Sequence, residues 1–351
     1  MDYQLVDADG HYYEADDCFS RHIERKFKDA TVRVERRADG LGRVYVGDRR
    51  TFMSVMPGDY ASAPGAKLGL FSGKQSDGFA HKEVINAKDF PAFTDKKARL
   101  AFLDEQDIEA SVMLPTLAVA VEEDLSHDVE LTYASLRAFN RWLEEDWGYG
   151  SDGRIFAAPM LSLLDLDHAV TELDRVLKAD ARLVHLRPGP IGGQSPAHPM
   201  FDRFWAALAE AGVGVVFHVS NSGYNRMYGA QWSEDPGNPS HNQSPLQWAL
   251  CNTERPIVDP LTALTLHNLF GRHPDIRIIS IENGSGWVKA LFKSVDKAAA
   301  LGRQGPMIGG KLPEKPSEAL AQHLWVSPFP PSNPQARARR MNEIANLGLL
   351  H

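Results

Sequence analysis

The chain has 351 residues, of which 43% are apolar and 24% charged, and this composition predicts a globular protein with a large hydrophobic core. Its formal net charge of -8 argues against a nucleic-acid partner, because phosphate groups are bound by basic surfaces. The two cysteines, Cys18 and Cys251, exclude a disulfide framework, and neither a signal peptide nor a long apolar run is visible. We therefore predict a cytoplasmic protein with no membrane or nucleic-acid partner.

Short runs rich in apolar and β-branched residues predict seven strands along the chain. They are 4–11, 109–116, 154–161, 182–189, 213–220, 276–283 and 323–330. Amphipathic stretches between them predict helices, one capped by Thr94 and another by Asp165. This alternation is typical of parallel strands, in either an open doubly wound sheet or a (β/α)8 barrel. No GxGxxG motif follows the first strand, which weakens the case for a dinucleotide-binding sheet.

A long insertion, residues 17–93, separates the first strand from the next predicted elements. The sequence "TVRVERRADGLGRVYVGDRR" within it predicts a hairpin, because turn residues join two alternating runs. The Gly/Ser/Pro-rich stretch 57–78 predicts an exposed loop. Barrels often carry such insertions over the carboxyl ends of their strands, so we predict a hairpin and loop subdomain over the barrel mouth.

Polar side chains stand at the ends of several predicted strands, where parallel α/β folds place their catalytic groups. They are Asp9 and His11 in the first run, His185 and Arg187 in the fourth, His218 in the fifth and Glu282 in the sixth. Strand alternation places Asp7, Asp9 and His11 on one face. Imidazole and carboxylate are common zinc ligands. The Asp-x-His motif also fits a polar turn, Glu282 fits a helix cap, and Arg187 fits a structural ion pair.

In combination, four segments resemble the amidohydrolase-related family (the amidohydrolase-2 group) that includes aminocarboxymuconate-semialdehyde decarboxylase. The segments are "VDADGHYYE", "HLRPGPIGGQSPAHPMFDRFWAALAEAGVGVVFHV", "LFGRHPDIRIISIENGSGWV" and "KPSEALAQHLWVSPF". The resemblance runs from residue 4 to about residue 330. It implies a metal-dependent (β/α)8 TIM-barrel-like hydrolase fold in which residues 1–351 form a single domain.

The resemblance also implies a site. Asp9, His11 and His218 fall on the family's metal ligands, while Glu282 takes the place of a catalytic base and is expected to be that base or a further ligand. The residues expected to contact a small-molecule substrate are His185, Arg187, Tyr224 and His241. The fourth strand has no lysine to form a bridging carbamate, which favours one divalent ion, zinc first and manganese as the alternative. A homodimer is expected from the family.

One departure from the family pattern lies near the C-terminus. The family's eighth strand ends in "SDxPH", whose aspartate is a metal ligand, and no such sequence occurs here. We therefore predict a barrel whose eighth strand is missing or degenerate. The first hypothesis for function is a metal-dependent hydrolase of a small organic substrate, including aromatic or carboxylate-bearing ones. The alternatives are a nonoxidative decarboxylase, a truncated and catalytically impaired barrel, and a binding protein without a metal.

Overall fold

The computed structural model describes residues 4–60, 87–313 and 315–327. The chain divides into two compact units. Unit 1 comprises Met1–Ala157, Gly237–Gln243 and Pro330–Ala338, and unit 2 comprises Ala158–Pro236, Ser244–Phe329 and Arg339–His351. Within the described ranges, none of the helices is both long and apolar enough to cross a membrane.

Strands form three sheets in the described part of the chain. The strands are β1 (Leu5–Tyr12), β2 (Val32–Arg36), β3 (Gly42–Val46), β4 (Arg49–Val55), β5 (Ile108–Pro115), β6 (Ile155–Ala157), β7 (Met160–Leu161), β8 (Leu183–Leu186), β9 (Gly214–His218), β10 (Ile278–Ile281) and β11 (Leu324–Val326). Unit 1 contains a parallel sheet in the order β1-β5-β6 and an antiparallel sheet in the order β2-β3-β4. Unit 2 contains a parallel sheet in the order β11-β10-β9-β8-β7.

Helices separate the parallel strands along the chain. The α-helices are α1 (Lys96–Glu105), α2 (Glu122–Leu125), α3 (Val129–Asp146), α4 (Leu166–Lys178), α5 (Asp202–Ala211), α6 (Tyr224–Met227), α7 (Pro245–Cys251), α8 (Arg255–Leu266), α9 (Leu269–Arg272), α10 (Val288–Leu301) and α11 (Pro316–His323). All five residues of β9 are buried, as expected for a parallel strand covered on both faces. The predicted succession of strands and helices is confirmed.

The barrel prediction is confirmed in part. All seven predicted strands are present, but the third is split into β6 and β7 by Ala158 and Pro159, and the two halves belong to different sheets. A proline has no amide hydrogen and cannot donate to a sheet, which explains the break. Among the described residues the parallel strands form two separate sheets, not one closed barrel. The segment expected to hold a degenerate eighth strand follows residue 327 and lies outside the described residues.

Two helix starts test the capping predictions. Asp165 caps α4 by accepting a hydrogen bond from the amide of His168 at 3.0 Å, as predicted. The cap of α1 is Asp95, whose carboxylate accepts from the amide of Ala98 at 2.7 Å, so the prediction of Thr94 was wrong by one residue. The carboxylate at Asp95 satisfies an amide of the first turn and also carries the negative charge that this end of a helix favours.

The predicted hairpin is present in the insertion. Strands β2 and β3 pair antiparallel from Val32 opposite Val46 to Arg36 opposite Gly42, and β4 adds a third strand. Most of the predicted loop, residues 61–78, lies outside the described residues. The position of this subdomain over the mouth of a barrel stays a prediction.

A bulge interrupts β1 beside β5. Asp7 pairs with Ser111 and Gly10 pairs with Met113. Two residues of β1 therefore lie between these pairs where β5 has only one, so β1 contains one extra residue. The Ser111 hydroxyl donates to the Asp7 carboxylate at 2.9 Å. The extra residue shifts the alternation by one, and Asp7 therefore no longer shares a face with His11. The expectation that Asp7 joins the same face was wrong for this reason.

Replacing Gly10 by alanine should destabilise the chain, because the bulge leaves no room for a side chain. A Cβ at Gly10 would lie 2.3 Å from the Ser111 hydroxyl oxygen and 2.8 Å from an Asp7 carboxylate oxygen. We expect Gly10→Ala to lower the free energy of unfolding by about 1–3 kcal/mol in a urea titration. Gly305→Ala is the control, since its Cβ would meet only the Gly302 carbonyl at 3.3 Å. A Gly10→Ala protein as stable as the control would contradict the close approach.

Candidate metal site

Unit 1 brings Asp9 and His11 together at the end of β1. Oδ1 of Asp9 lies 3.6 Å from Nε2 of His11, and both side chains are about one-third exposed. The other ring nitrogen of His11, Nδ1, lies 3.3 Å from the hydroxyl oxygen of Thr116. The imidazole therefore directs Nε2 toward the carboxylate, and the two side chains offer one nitrogen and one oxygen donor.

Unit 2 brings His218 and Glu282 together. His218 ends β9, and its Nδ1 lies 2.7 Å from the Val219 carbonyl oxygen. Because a carbonyl only accepts hydrogen bonds, Nδ1 carries a proton, and Nε2 faces the Glu282 carboxylate at 3.1 Å. A carboxylate oxygen and an imidazole nitrogen at this distance hold either a proton or a metal ion between them.

The turn after β10 fixes the position of Glu282. Glu282 has a φ of +57°, in the left-handed region that non-glycine residues seldom adopt. The side-chain amide of Asn283 donates to the carbonyls of Phe217 at 2.7 Å and Ile281 at 2.9 Å, and the Trp287 indole donates to the Asn283 carbonyl at 3.0 Å. These bonds tie the turn to β9 and offset its backbone strain, of about 1–3 kcal/mol.

The predicted substrate contacts His185 and Arg187 lie in and just after β8. His185 is fully buried, and neither ring nitrogen has a hydrogen-bond partner among the described residues. Burial lowers the pKa of His185 to about 3, with a smaller contribution from the charge of His218, so the imidazole is neutral near pH 7. Arg187 is 3% exposed and donates to the Pro190 carbonyl at 3.4 Å. This part of the chain thus combines a permanent cation with a neutral polar group.

The other two predicted substrate contacts, Tyr224 and His241, lie in short helical segments. Tyr224 is buried at the start of α6, and its hydroxyl donates to the Asp259 carboxylate at 3.0 Å. Its ring also packs close to Gly189, where a Cβ would lie 3.5 Å from Cε2 of Tyr224 and 3.1 Å from the Ser222 carbonyl. Gly189 has a φ of +129°, so both its backbone conformation and its contacts require glycine. His241 lies in a short 3-10 helix, Ser240–Asn242, and its role stays a prediction.

Sequence reasoning overlooked two polar residues beside β1. Thr116 directly follows β5 and contacts His11, and the strand-end rule that selected the other residues also applies to it. Glu14 is buried, and its Oε1 accepts hydrogen bonds from the amides of Leu117 at 2.8 Å and Ala118 at 2.9 Å. Burial raises the pKa of Glu14 to about 7. No sequence pattern distinguishes it from an exposed carboxylate.

The donor types fit a hard or borderline divalent ion. Asp9, His11, His218 and Glu282 each offer one carboxylate oxygen or imidazole nitrogen, the atoms that bind zinc and manganese in proteins. Thiolate ligands are not part of the set, because Cys18 and Cys251 are buried and burial raises the pKa of both thiols. The residues present therefore suit the metal that the sequence predicted.

Solved structures with named activities resemble this chain. An amidohydrolase from Mycobacterium avium subsp. paratuberculosis K-10 is 38% identical, with a TM-score of 0.86 over 100% of this chain and 88% of that chain. The 2,6-dihydroxybenzoate decarboxylase from Rhizobium is 19% identical, with a TM-score of 0.54 over 84% of both chains. A dihydroxybenzoic acid decarboxylase from Polaromonas sp. JS666, with bound manganese, is 17% identical, with a TM-score of 0.51 over 83% of this chain and 82% of that chain.

At identities of 19% and 17%, the similarity to the two decarboxylases is evidence for the fold only. A search of curated proteins finds no match. The family model Amidohydro_2, described as amidohydrolase, matches residues 81–332, which is well over half of the chain. Together with the mycobacterial structure, this match shows that the chain belongs to the Amidohydro_2 family of amidohydrolases.

Proposed function

We propose that this chain is a metal-dependent nonoxidative decarboxylase of a small aromatic carboxylic acid. The observation that carries the proposal is the presence of a buried cation, Arg187, two residues after a buried neutral imidazole, His185, in and just after β8. A guanidinium binds a carboxylate through two parallel hydrogen bonds. The Rhizobium and Polaromonas structures, which share the fold, are named as decarboxylases of such acids.

The proposed metal ligands are Asp9, His11, His218 and Glu282. Their support is the chemistry of the donor set and the two close carboxylate–imidazole pairs described above. The ion is zinc or manganese, and the Polaromonas relative contains manganese. A divalent ion bound by these groups stabilises negative charge on a substrate oxygen.

The chain's own residues then bind and orient the acid. Arg187 holds a carboxylate, and His185 donates or accepts one hydrogen bond without adding charge. In the reaction the bond between the ring carbon and the carboxylate carbon breaks, and carbon dioxide leaves. The electron pair stays on the ring carbon, which takes up one proton. No oxidant or reductant is needed, so the atoms and electrons balance without a further cofactor.

A hydrolase is the second candidate. It is favoured by the mycobacterial relative, which is named as an amidohydrolase and is 38% identical over the whole of this chain. A hydrolase would add water to an ester or amide and release no carbon dioxide. A panel of aromatic carboxylic acids, esters and amides, assayed for both acid production and carbon dioxide, separates the two activities. Turnover of either kind by the 351-residue chain would exclude the hypothesis that it is a truncated and catalytically impaired barrel.

His218→Ala should abolish stoichiometric metal binding, because it removes the nitrogen that faces Glu282. The measurement is metal content by elemental analysis after reconstitution with zinc or manganese. His323→Ala is the matched control, since His323 is also buried and its Nδ1 also lies 2.7 Å from a backbone carbonyl, that of Ile276. Full metal content in His218→Ala would remove this histidine from the ligand set.

Glu282→Gln separates two roles for Glu282. As a metal ligand it should lose metal affinity when the carboxylate becomes an amide. If Glu282 is instead the general base, the Glu282→Gln protein should keep its metal and lose turnover. We expect the loss of metal affinity, measured by competition with a chelator, because the Glu282 carboxylate lies 3.1 Å from Nε2 of His218.

Arg187→Lys should weaken substrate binding although the charge is kept. A lysine cannot form the paired hydrogen bonds of a guanidinium, so we expect kcat/KM for the carboxylic acid to fall about 10- to 100-fold, mainly through KM. Arg277→Lys is the control at an exposed position of the same unit. An unchanged KM in Arg187→Lys would exclude the carboxylate-binding role.

His185 should make the metal-free protein sensitive to acid. Its pKa is about 3 in the folded chain and near 6.5 when unfolded, so the unfolded state takes up the proton first as the pH falls. The contribution of His185 to the free energy of unfolding is therefore fully present above pH 6.5. Below that pH it falls, by up to about 1.4 kcal/mol per pH unit. Urea unfolding at pH 7 and pH 5 should show a smaller loss in His185→Gln. Equal losses in the two proteins would mean that His185 is not a neutral buried imidazole.

A further inference from the structure

The hydroxyl of Thr116 contacts two groups of β1 at once. Thr116 follows Pro115, which pairs with Tyr12 in the parallel β1–β5 ladder. Its Oγ1 lies 2.8 Å from the Tyr12 carbonyl oxygen and 3.3 Å from Nδ1 of His11. All of these groups belong to unit 1.

These two contacts determine which nitrogen of His11 carries a proton. The Tyr12 carbonyl can only accept, so the single hydroxyl proton of Thr116 points to it. Toward His11 the hydroxyl oxygen can then only accept, which requires a proton on Nδ1. In the neutral ring Nε2 is consequently the nitrogen with a lone pair, and Nε2 is the atom that faces Asp9 at 3.6 Å.

Further hydrogen bonds hold both partners in place. Oε1 of the buried Glu14 accepts from the amides of Leu117 and Ala118, directly after Thr116. The buried Arg99 donates to the carbonyl of His11 and, at 2.7 Å, to that of Ala92. The backbone on each side of the Thr116–His11 contact is therefore held by a buried polar side chain, Glu14 on one side and Arg99 on the other.

We propose that Thr116 is a positioning residue that holds His11 in the tautomer and orientation required for metal binding. The proposal rests on the proposed function, since it assumes that His11 is a ligand. Mutation of a residue that hydrogen-bonds to a metal-binding histidine typically lowers the metal affinity by about 10- to 100-fold. Thr116 would act through His11 alone, with no contact to metal or substrate.

The test compares Thr116→Val, which removes the hydroxyl at nearly constant shape, with Thr116→Ser, which keeps it. We expect Thr116→Val to bind zinc and manganese about 10- to 100-fold more weakly in chelator competition, and Thr116→Ser to stay within about threefold of wild type. Thr132→Val is the matched control. Thr132 also lies in unit 1, and its hydroxyl oxygen is also within hydrogen-bond distance of backbone carbonyls, of Leu125 at 2.9 Å and Asp128 at 2.8 Å, with no histidine contact among the described residues. It should keep wild-type affinity.

A second readout does not need the metal. Nitrogen-15 spectra of histidine-labelled, metal-free protein report the tautomer of each ring, and His11→Gln identifies the His11 signals. Wild type and Thr116→Ser should show His11 protonated at Nδ1, and Thr116→Val should show a shift toward protonation at Nε2.

The outcomes separate this proposal from the one on which it rests. Loss of metal in His11→Ala, together with unchanged affinity and tautomer in Thr116→Val, would overturn the role of Thr116 and leave the ligand set standing. Full metal content in His11→Ala would overturn both. Weakened affinity in Thr116→Ser and Thr132→Val to the same extent as in Thr116→Val would show a general loss of stability, and would also overturn the role of Thr116.

Discussion

An imidazole binds a metal ion only through a nitrogen that carries no proton, so a metal-binding histidine needs a partner for its other nitrogen. Both histidines of the proposed ligand set meet this constraint at Nδ1. His218 uses the carbonyl of Val219, the next residue in the sequence, and His11 uses the hydroxyl of Thr116, which directly follows the neighbouring strand β5. The first bond depends only on local backbone geometry, whereas the second depends on the register between β1 and β5.

Polar groups at the strand ends are held by bonds to the adjacent strand. Asn283 links the turn after β10 to the Phe217 carbonyl of β9, and Glu14 links the end of β1 to the segment after β5. The left-handed backbone conformation of Glu282 is unfavourable on its own, but the surrounding hydrogen bonds hold this residue beside His218. Such rigid support is what a ligand or substrate contact requires if its geometry is to be set before binding.

The sequence predicted the features that depend on local pattern. The seven strands, the Asp165 cap, the hairpin of the insertion and the His218–Glu282 strand ends all follow from periodicity and residue type. The features that it did not predict depend on contacts between distant segments. The bulge that removes Asp7 from the face of His11 and the approach of Thr116 to β1 are set by pairing partners about 100 residues away. The proline that splits the third strand is visible in the sequence, but the assignment of the two halves to different sheets is not. Burial, which makes His185 neutral, is likewise a property of the folded chain.

The bulge in β1 gives the length of this segment a chemical meaning of its own. A substitution between Asp7 and Gly10 changes one side chain, but a one-residue deletion would remove the extra residue of the bulge and leave Asp7 paired with Ser111 and Gly10 paired with Met113. Asp7 would keep its bond to Ser111 and its face, but it would stand three residues before His11 in the sequence instead of four. Among related chains, the spacing of this segment is therefore as informative as its residue identities, and an alignment that closes a one-residue gap here would compare carboxylates with opposite orientations.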